Sequence, residues 1–152
     1  PVSDKGEDRI IAGMDMGGYG AFRQALAHPE VFGKAAAFDA PLDIHKYYRE
    51  TAFPYSPDFC MEQVFGAEEK FKGGENDLFA LAGTCATKAK MPGLLLVNRH
   101  GGSLEKEFMN FSEYLKKIGF SGIHTVARPE KDLNFYEGAL NTTLDSLERG
   151  EL

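Results

Sequence analysis

The stretch IIAGMDMGGYGAFRQAL, residues 10–26, decides the fold of this chain. It begins with a short apolar run, and glycines follow at positions 13, 17, 18 and 20. Apolar residues then recur at helical spacing until His28-Pro29 ends the pattern. The pattern predicts a strand that passes through a tight turn into a helix. In open parallel sheets, ligand chemistry gathers at such turns, where the strands end.

Further apolar runs predict strands at residues 34–38, 93–97 and 123–127. Between the last two runs, an apolar stripe predicts a helix with Ser103 as its N-cap. A last helix is predicted from an apparent capping box that pairs Asn134 with Glu137. Its predicted buried face consists of Tyr136, Leu140, Leu144 and Leu147.

This alternation predicts an α/β fold, with a mostly parallel sheet and helices on both faces, in one domain over residues 1–152. Residues 42–90 interrupt it as a cap-like insertion, with short helices predicted near 58–64 and 77–86. The strand at 10–13 is expected at an edge of the sheet. Because an open apolar edge is a liability, we expect an upstream segment or a second copy to cover it, most simply in a homodimer.

Composition limits the possible functions. The 152 residues are 43% hydrophobic and 26% charged, which is typical of a globular protein. The formal charge of -6 argues against nucleic acids and anionic membranes as partners. No apolar segment opens the chain, so a cytoplasmic location is predicted. Cys60 and Cys85 are predicted to be free thiols, and no spacing of ligating residues indicates a metal or a cofactor.

Asp15 is predicted to stand at the tip of the first turn. Gly13 and Gly17 flank it two residues away on either side, which fits a nucleophile elbow that projects its central side chain outward. In that geometry the N–H of Met16 would face an oxyanion.

Residues 11–44, IAGMDMGGYGAFRQALAHPEVFGKAAAFDAPLDI, resemble the putative-esterase family of α/β-hydrolases, which includes esterase D, tributyrin esterases and feruloyl esterases. The family pattern is G-x-S-M-G-G-x-G-A, then a helix, then H-P-x-x-F and a strand of small residues. Weaker similarity continues to the end of the chain. The resemblance implies an α/β-hydrolase-like fold that lacks the N-terminal strands of the family.

Three positions depart from the catalytic triad that the resemblance implies. Asp15 stands at the serine, Gly102 at the acid and Lys131 at the histidine. A serine nucleophile needs an imidazole to take its proton, and the imidazole needs a carboxylate to orient it. The sequence therefore predicts a pseudoenzyme, a degenerate relative of carboxylesterases with a ligand-binding or interaction role. A salt bridge between Asp15 and Lys131 is a further hypothesis.

The alternative is an active hydrolase, acting on an ester or a related small substrate, with Asp15 as the nucleophile. Haloalkane dehalogenases and epoxide hydrolases are similar in this respect. They also need a histidine after the last strand and usually a tryptophan, and this sequence has neither.

Other candidate residues surround the predicted turn. Asp39 follows the glycine turn at a spacing seen in dinucleotide-binding units, but Arg23 replaces the third glycine, so a turn or cap role is predicted. His28, His45 and His124 are predicted to be structural or surface residues. The expected ligand is a small ester-like molecule. The residues predicted to bind it are Gly17, Tyr19, Tyr47, Tyr48, Arg99 and His100.

Overall fold

The computed structural model of the chain describes residues 3–50, 64–66, 72–129 and 132–152, without the side chains of 48–50 and 132. Its strands are β1 (Ile10–Met14), β2 (Lys34–Phe38), β3 (Gly93–Arg99) and β4 (Ile123–Arg128). Its helices are α1 (Met16–Ala27), α2 (Ile44–Glu50), α3 (Leu78–Cys85), α4 (Glu105–Lys117) and α5 (Asp132–Glu148).

The strands form a parallel sheet in the order β1-β2-β3-β4. This confirms the predicted α/β architecture. Within the described residues β1 pairs only with β2, so the predicted edge position of the first strand is confirmed as well. All four strands end at the same side of the sheet, which brings the loops after them together.

Helices cover the two faces of the sheet unequally. The larger core lies under α1, α3 and α4, where side chains such as Phe22, Phe108 and Phe111 are fully buried. A smaller core lies on the other face, where Phe135 and Ala139 of α5 pack on β2 and β3. Helices on both faces were predicted, and their unequal cover was not.

Two of the predicted helix starts are wrong. Leu104, and not Ser103, holds the N-cap position of α4, and no side chain caps that end. α5 begins at Asp132, upstream of the Asn134 capping box. The helix predicted near 77–86 is confirmed as α3. It begins after Asp77 because the Asp77 carboxylate accepts the N–H groups of Phe79 and Ala80. The helix predicted near 58–64 lies almost entirely outside the described residues.

The predicted buried face of α5 is wrong at Leu140 and Leu144, which are 48% and 49% exposed, whereas Tyr136 packs against the smaller core as predicted. The buried positions carry Phe135, Ala139, Thr143 and Ser146. The Thr143 hydroxyl donates to the Ala139 carbonyl at 2.9 Å, so it can be buried without an unpaired polar group. Small residues on this side let the helix approach the sheet closely. The leucines remain at the surface.

Candidate functional site

The bend between β1 and α1 places Asp15 at its tip, as the sequence predicts. Asp15 has a φ of 51° and a ψ of -129°, a conformation that few residues other than glycine adopt. Its N–H donates to the Phe38 carbonyl at 3.0 Å, and its carbonyl accepts from Gly18 at 2.9 Å. These bonds fix the backbone on both sides of the bend and hold the strain that its geometry requires.

Two glycines make this bend possible, and only one of them, Gly13, belongs to the pair that the sequence suggested. A Cβ on Gly13 would lie 2.2 Å from the Gly17 carbonyl oxygen, and a Cβ on Gly18 would lie 2.7 Å from the Cβ of Ala40. A Cβ on Gly17 would meet nothing within 4 Å. Positions 13 and 18 therefore have no room for a side chain, whereas a side chain would fit at position 17.

The Asp15 carboxylate is exposed, and no described side chain forms a hydrogen bond or an ion pair with it. Tyr47 on α2 and Tyr136 on α5 lie within range of its charge. Burial raises the pKa of Tyr47, and the negative charges of Asp15 and Glu107 raise it further. The pKa of Tyr136 is also raised, mainly by burial. The positive charge of Arg99 opposes this rise, and the negative charges of Asp39 and Asp15 add to it. The charge of Asp15 thus acts on one tyrosine of α2 and on one tyrosine of α5.

The Met16 N–H begins α1, so it has no acceptor within its own helix and remains directed out of the first turn. The oxyanion role of this N–H stays a prediction. Gly17 and Tyr19 lie in the same first turns. Tyr19 is buried, and its hydroxyl donates to the Asn76 carbonyl at 2.7 Å, a structural contact that the sequence did not predict. Burial raises the pKa of Tyr19 to about 12.

An ion pair that the sequence did not predict lies at the ends of the two neighbouring strands. Asp39 follows β2 with a φ of 45°, is buried, and accepts from Arg99 Nε at 2.5 Å as well as from Nη2. The Arg99 guanidinium also lies 5.8 Å from the centre of the Phe135 ring. Because β2 pairs with β3 in register, Phe38 beside Val97, the two charges meet where those strands end. Asp39 is thus a turn residue, as predicted, and also the anchor of Arg99.

A second buried carboxylate holds the loop that leads to the cap-like insertion. Glu107 on α4 is buried and accepts the N–H of Leu42 and, at 2.6 Å, that of Asp43. Burial raises the pKa of Glu107, which the two backbone hydrogen bonds partly counteract. These bonds fix the entry to α2 and therefore the position of Tyr47. Sequence analysis missed Glu107 because a charged residue in an amphipathic helix is normally exposed.

The loop after β3 contains the predicted triad position Gly102. Its N–H donates to the Arg99 carbonyl at 3.0 Å, and a Cβ on Gly102 would lie 3.0 Å from that same oxygen. A carboxylate side chain at this position would therefore be crowded. His100 lies nearby but is exposed. Its Nδ1 lies 3.1 Å from Glu105 Oε1, so its carboxylate partner is Glu105 and not Asp15.

The remaining histidines do not reach Asp15. His28 ends α1, about 18 Å along the helix from the elbow. His124 pairs with Leu95 near the start of β4, toward the opposite edge of the sheet. His45 lines a cavity of about 280 Å³ together with Lys72 and Asp77. A larger cavity of about 800 Å³ opens where the strands begin, at the end of the sheet opposite the elbow.

Two predicted site residues lie outside this description. Lys131 is not among the described residues, so its salt bridge with Asp15 stays a prediction. The side chain of Tyr48 is also outside them. Among the residues that the structure does describe, no cluster of His, Cys, Asp or Glu forms a metal site, and no helix is long and apolar enough to cross a membrane.

The elbow and the sheet agree with the comparisons with known proteins. The family described as "Putative esterase" matches residues 1–90, more than half of the chain. The chain belongs to this esterase family. An acetyl esterase of Caldicellulosiruptor saccharolyticus is 27% identical over 143 residues, which cover 90% of this chain and 53% of that protein.

Two solved structures from Staphylococcus aureus have the same fold. The fluorophosphonate-binding serine hydrolase FphF superposes with a TM-score of 0.82, and the S-formylglutathione hydrolase FrmB with 0.80. Each is 26% identical to this chain, and each match covers 95% of this chain and 56% of the other. The chain thus has an α/β-hydrolase fold and spans about half the length of the relatives that it matches.

Proposed function

We propose that this member of the esterase family has lost serine-type hydrolysis and keeps the elbow as a site for a small ester-like ligand. The observation that carries the proposal is Asp15, an aspartate at the tip of the elbow where a serine hydrolase has its nucleophile. A role as a pseudoenzyme and a cytoplasmic location belong to the same proposal.

The chemistry of a carboxylate at this position supports the proposal. A serine attacks an ester as an alkoxide that an imidazole generates, and the resulting acyl-enzyme is then hydrolysed. If Asp15 attacked the acyl carbon instead, the product would be an anhydride. Its carboxylate is a far better leaving group than the departing alkoxide, so the reaction would return to the starting ester. Hydrolysis of a carboxylic ester through Asp15 is therefore unfavourable.

The surroundings of Asp15 also support a lost triad. All four histidines are described, and none hydrogen-bonds to Asp15. Glycine at position 102 provides no carboxylate to orient an imidazole. Hydrolysis of a covalent intermediate would require an oriented imidazole as the base that activates the attacking water.

The elbow nevertheless keeps features that suit a ligand. The Met16 N–H at the start of α1 offers a donor to a carbonyl oxygen. Tyr47 and Tyr136 lie within range of the Asp15 charge, and the buried Asp39 holds Arg99, whose charge also acts on Tyr136. These groups would hold a small molecule with a carbonyl group and an apolar part.

Hydrolysis of p-nitrophenyl acetate tests the proposal, with Asp15→Asn as the matched variant because asparagine also tolerates a positive φ. We expect both proteins to hydrolyse the ester at the uncatalysed rate and neither to react with a fluorophosphonate probe. Amide shifts of Met16 in NMR spectra should change saturably as the intact ester is added. An active serine esterase assayed in parallel provides the positive control.

Three outcomes would overturn the proposal. Turnover that Asp15→Asn abolishes would establish the alternative, an aspartate nucleophile. Turnover that survives this substitution would point to a catalytic site elsewhere in the protein. An absence of saturable shifts at the elbow would contradict the retained ligand site.

A further inference from the structure

The loop of residues 39–43 joins β2 to α2 and lies beside the elbow. Ala40 packs so closely on the first turn of α1 that a Cβ on Gly18 would lie 2.7 Å from the Ala40 Cβ. At the other end of the loop, the Asp43 carboxylate accepts the Lys46 N–H at 3.0 Å in the first turn of α2. The loop therefore contacts the elbow helix at one end and caps α2 at the other.

Glu107 holds this loop against α4. It is 5% exposed, and its Oε1 accepts the N–H of Leu42 and, at 2.6 Å, that of Asp43. No described cation forms an ion pair with it. An ionised carboxylate here is taken out of water with two backbone donors but without an opposite charge, which is unfavourable. A neutral carboxyl carries its proton on the other oxygen, so Oε1 can accept the same two N–H groups without burying a charge.

The charges around Glu107 do not reverse this effect of burial. Burial raises the pKa of Glu107, the hydrogen bonds from the loop lower it, Asp43 raises it and Lys46 lowers it, and the result is a raised pKa. Tyr47 on α2 also faces this charge, since Glu107 adds to the rise that burial causes in the pKa of Tyr47. Glu107 therefore binds its proton more tightly when the loop is closed on it than when water surrounds it, and loss of the proton favours opening.

We propose that Glu107 is a pH-sensitive latch: its neutral carboxyl holds the loop of residues 39–43 on α4, and loss of the proton favours a form in which the N–H groups of Leu42 and Asp43 have left it. Leu42 and Ile44 are buried, and exposing them would be unfavourable. The open form is therefore a local loosening that lets water reach Glu107, and the loop does not unfold.

The latch acts on the elbow through Tyr47. The Tyr47 N–H donates to the Asp43 carbonyl at 2.9 Å, so Tyr47 follows a residue that the latch holds. The charge of Asp15 also acts on Tyr47. Opening of the latch therefore frees Tyr47 to move relative to Asp15. For a ligand, the inference rests on the proposed function: the affinity of the elbow for an ester-like molecule should fall as Glu107 loses its proton.

Amide hydrogen exchange followed by NMR tests the latch in the protein without a ligand. Each rate is divided into that of an unstructured peptide at the same pH, which gives a protection factor. We expect the protection of the Leu42 and Asp43 amides to fall several-fold from pH 4 to 7. At each pH it should stay below the protection of the Ala37 amide in β2, because the opening is local. The fall should have the same midpoint as the titration of the Glu107 carboxyl carbon resonance.

A pair of variants separates the latch from other effects of pH. Glu107→Gln keeps the size of the side chain and an oxygen acceptor but cannot titrate, so the fall in protection should vanish. Glu113→Gln is the matched control, because it removes an exposed carboxylate from the same helix and should leave the fall unchanged. Circular dichroism checks that both variants fold.

The ester arm uses the shifts of the Met16 amide on addition of p-nitrophenyl acetate. The dissociation constant of the ester should rise from pH 4 to 7 in the original chain and stay constant in Glu107→Gln. Because coupling is reciprocal, saturating ester should also raise the protection of the Leu42 and Asp43 amides.

The outcomes distinguish failure of the latch from failure of the proposed function. Protection that is constant from pH 4 to 7, that falls equally in Glu107→Gln, or that equals the protection of Ala37 would overturn the latch, whatever the ester does. A latch that titrates in a protein that binds no ester would stand, and the proposed function would fail. Ester affinity that does not change while the latch titrates would overturn the coupling to the elbow.

Discussion

Asp15 and Asp39 are the same residue type at equivalent places in adjacent strands. Each follows a strand directly, each has a positive φ, and each donates its N–H to a carbonyl near the end of the neighbouring strand, Asp15 to that of Phe38 and Asp39 to that of Val97. Asp15 is exposed and has no described side-chain partner, whereas Asp39 is buried and bound by Arg99. The difference follows from position in the sheet. Asp39 lies beside β3, which ends in an arginine, and Asp15 lies at the edge.

The comparison teaches that one backbone device can serve two purposes. At Asp39 the bend turns a carboxylate inward, where it holds the end of β3 and the Arg99 side chain. At Asp15 the same kind of bend leaves the carboxylate exposed. A residue in a strained bend is therefore not by itself a sign of function, because its partners decide its role.

The largest effect should come from breaking the Asp39 pair. Arg99→Ala leaves a buried carboxylate without its cation, which should lower the free energy of unfolding by about 3–5 kcal/mol. Asp15→Ala should cost less than about 1 kcal/mol, because an exposed side chain loses no partner. Urea denaturation measures both. The double variant Arg99→Ala/Asp39→Ala should recover part of the loss, and equal losses for Arg99→Ala and Asp15→Ala would contradict the contrast.

A smaller effect is expected at the glycines of the elbow. Gly13→Ala forces a methyl group against the Gly17 carbonyl, which should cost about 2–3 kcal/mol. Gly17→Ala adds a methyl group in open space and should be neutral or slightly stabilising, because alanine favours a helix. Thermal unfolding of the two variants makes the comparison. If Gly17→Ala were the more harmful, the described geometry of the elbow would be wrong.

Glu107 should make stability depend on pH in a defined direction. Burial raises the pKa of Glu107 above its ordinary value of 4.5. Its favourable contribution to the free energy of unfolding is therefore present below that pH and is lost as the pH rises through the folded-state pKa. Glu107→Gln cannot titrate. The free energy of unfolding of the original protein, minus that of this variant, should therefore fall as the pH rises from 4 to 7. A constant difference across that range would contradict a raised pKa.

The smallest effect should be a gain. Asp15→Gly removes a side chain from a backbone conformation that glycine adopts freely. The substitution should therefore raise the free energy of unfolding by up to about 1 kcal/mol. Asp39→Gly also relieves a positive φ but loses the Arg99 pair, so it should destabilise. Calorimetry of both variants gives the opposite signs that the comparison requires. Stabilisation by both would mean that the Asp39 pair contributes little.

Much of the fold could be predicted from the sequence. The four strands and the elbow follow from short-range patterns of apolar residues and glycines, and the structure confirms them. The buried face of α5 could not be predicted, because Leu140 and Leu144 have the right spacing but the sheet receives Phe135 and Ala139 instead. Periodicity shows that a helix has an apolar side without showing which side its neighbours leave room for.

The sequence by itself determined that residue 15 is an aspartate at a strand-to-helix bend, because the bend depends on residues within a few positions of it. Only the tertiary structure decided the surroundings of that bend. Arg99 reaches Asp39 across 60 positions of the chain, and Glu107 reaches Leu42 across 65. Such contacts depend on strand order and on how closely helices approach the sheet, and both arise only when the whole chain packs.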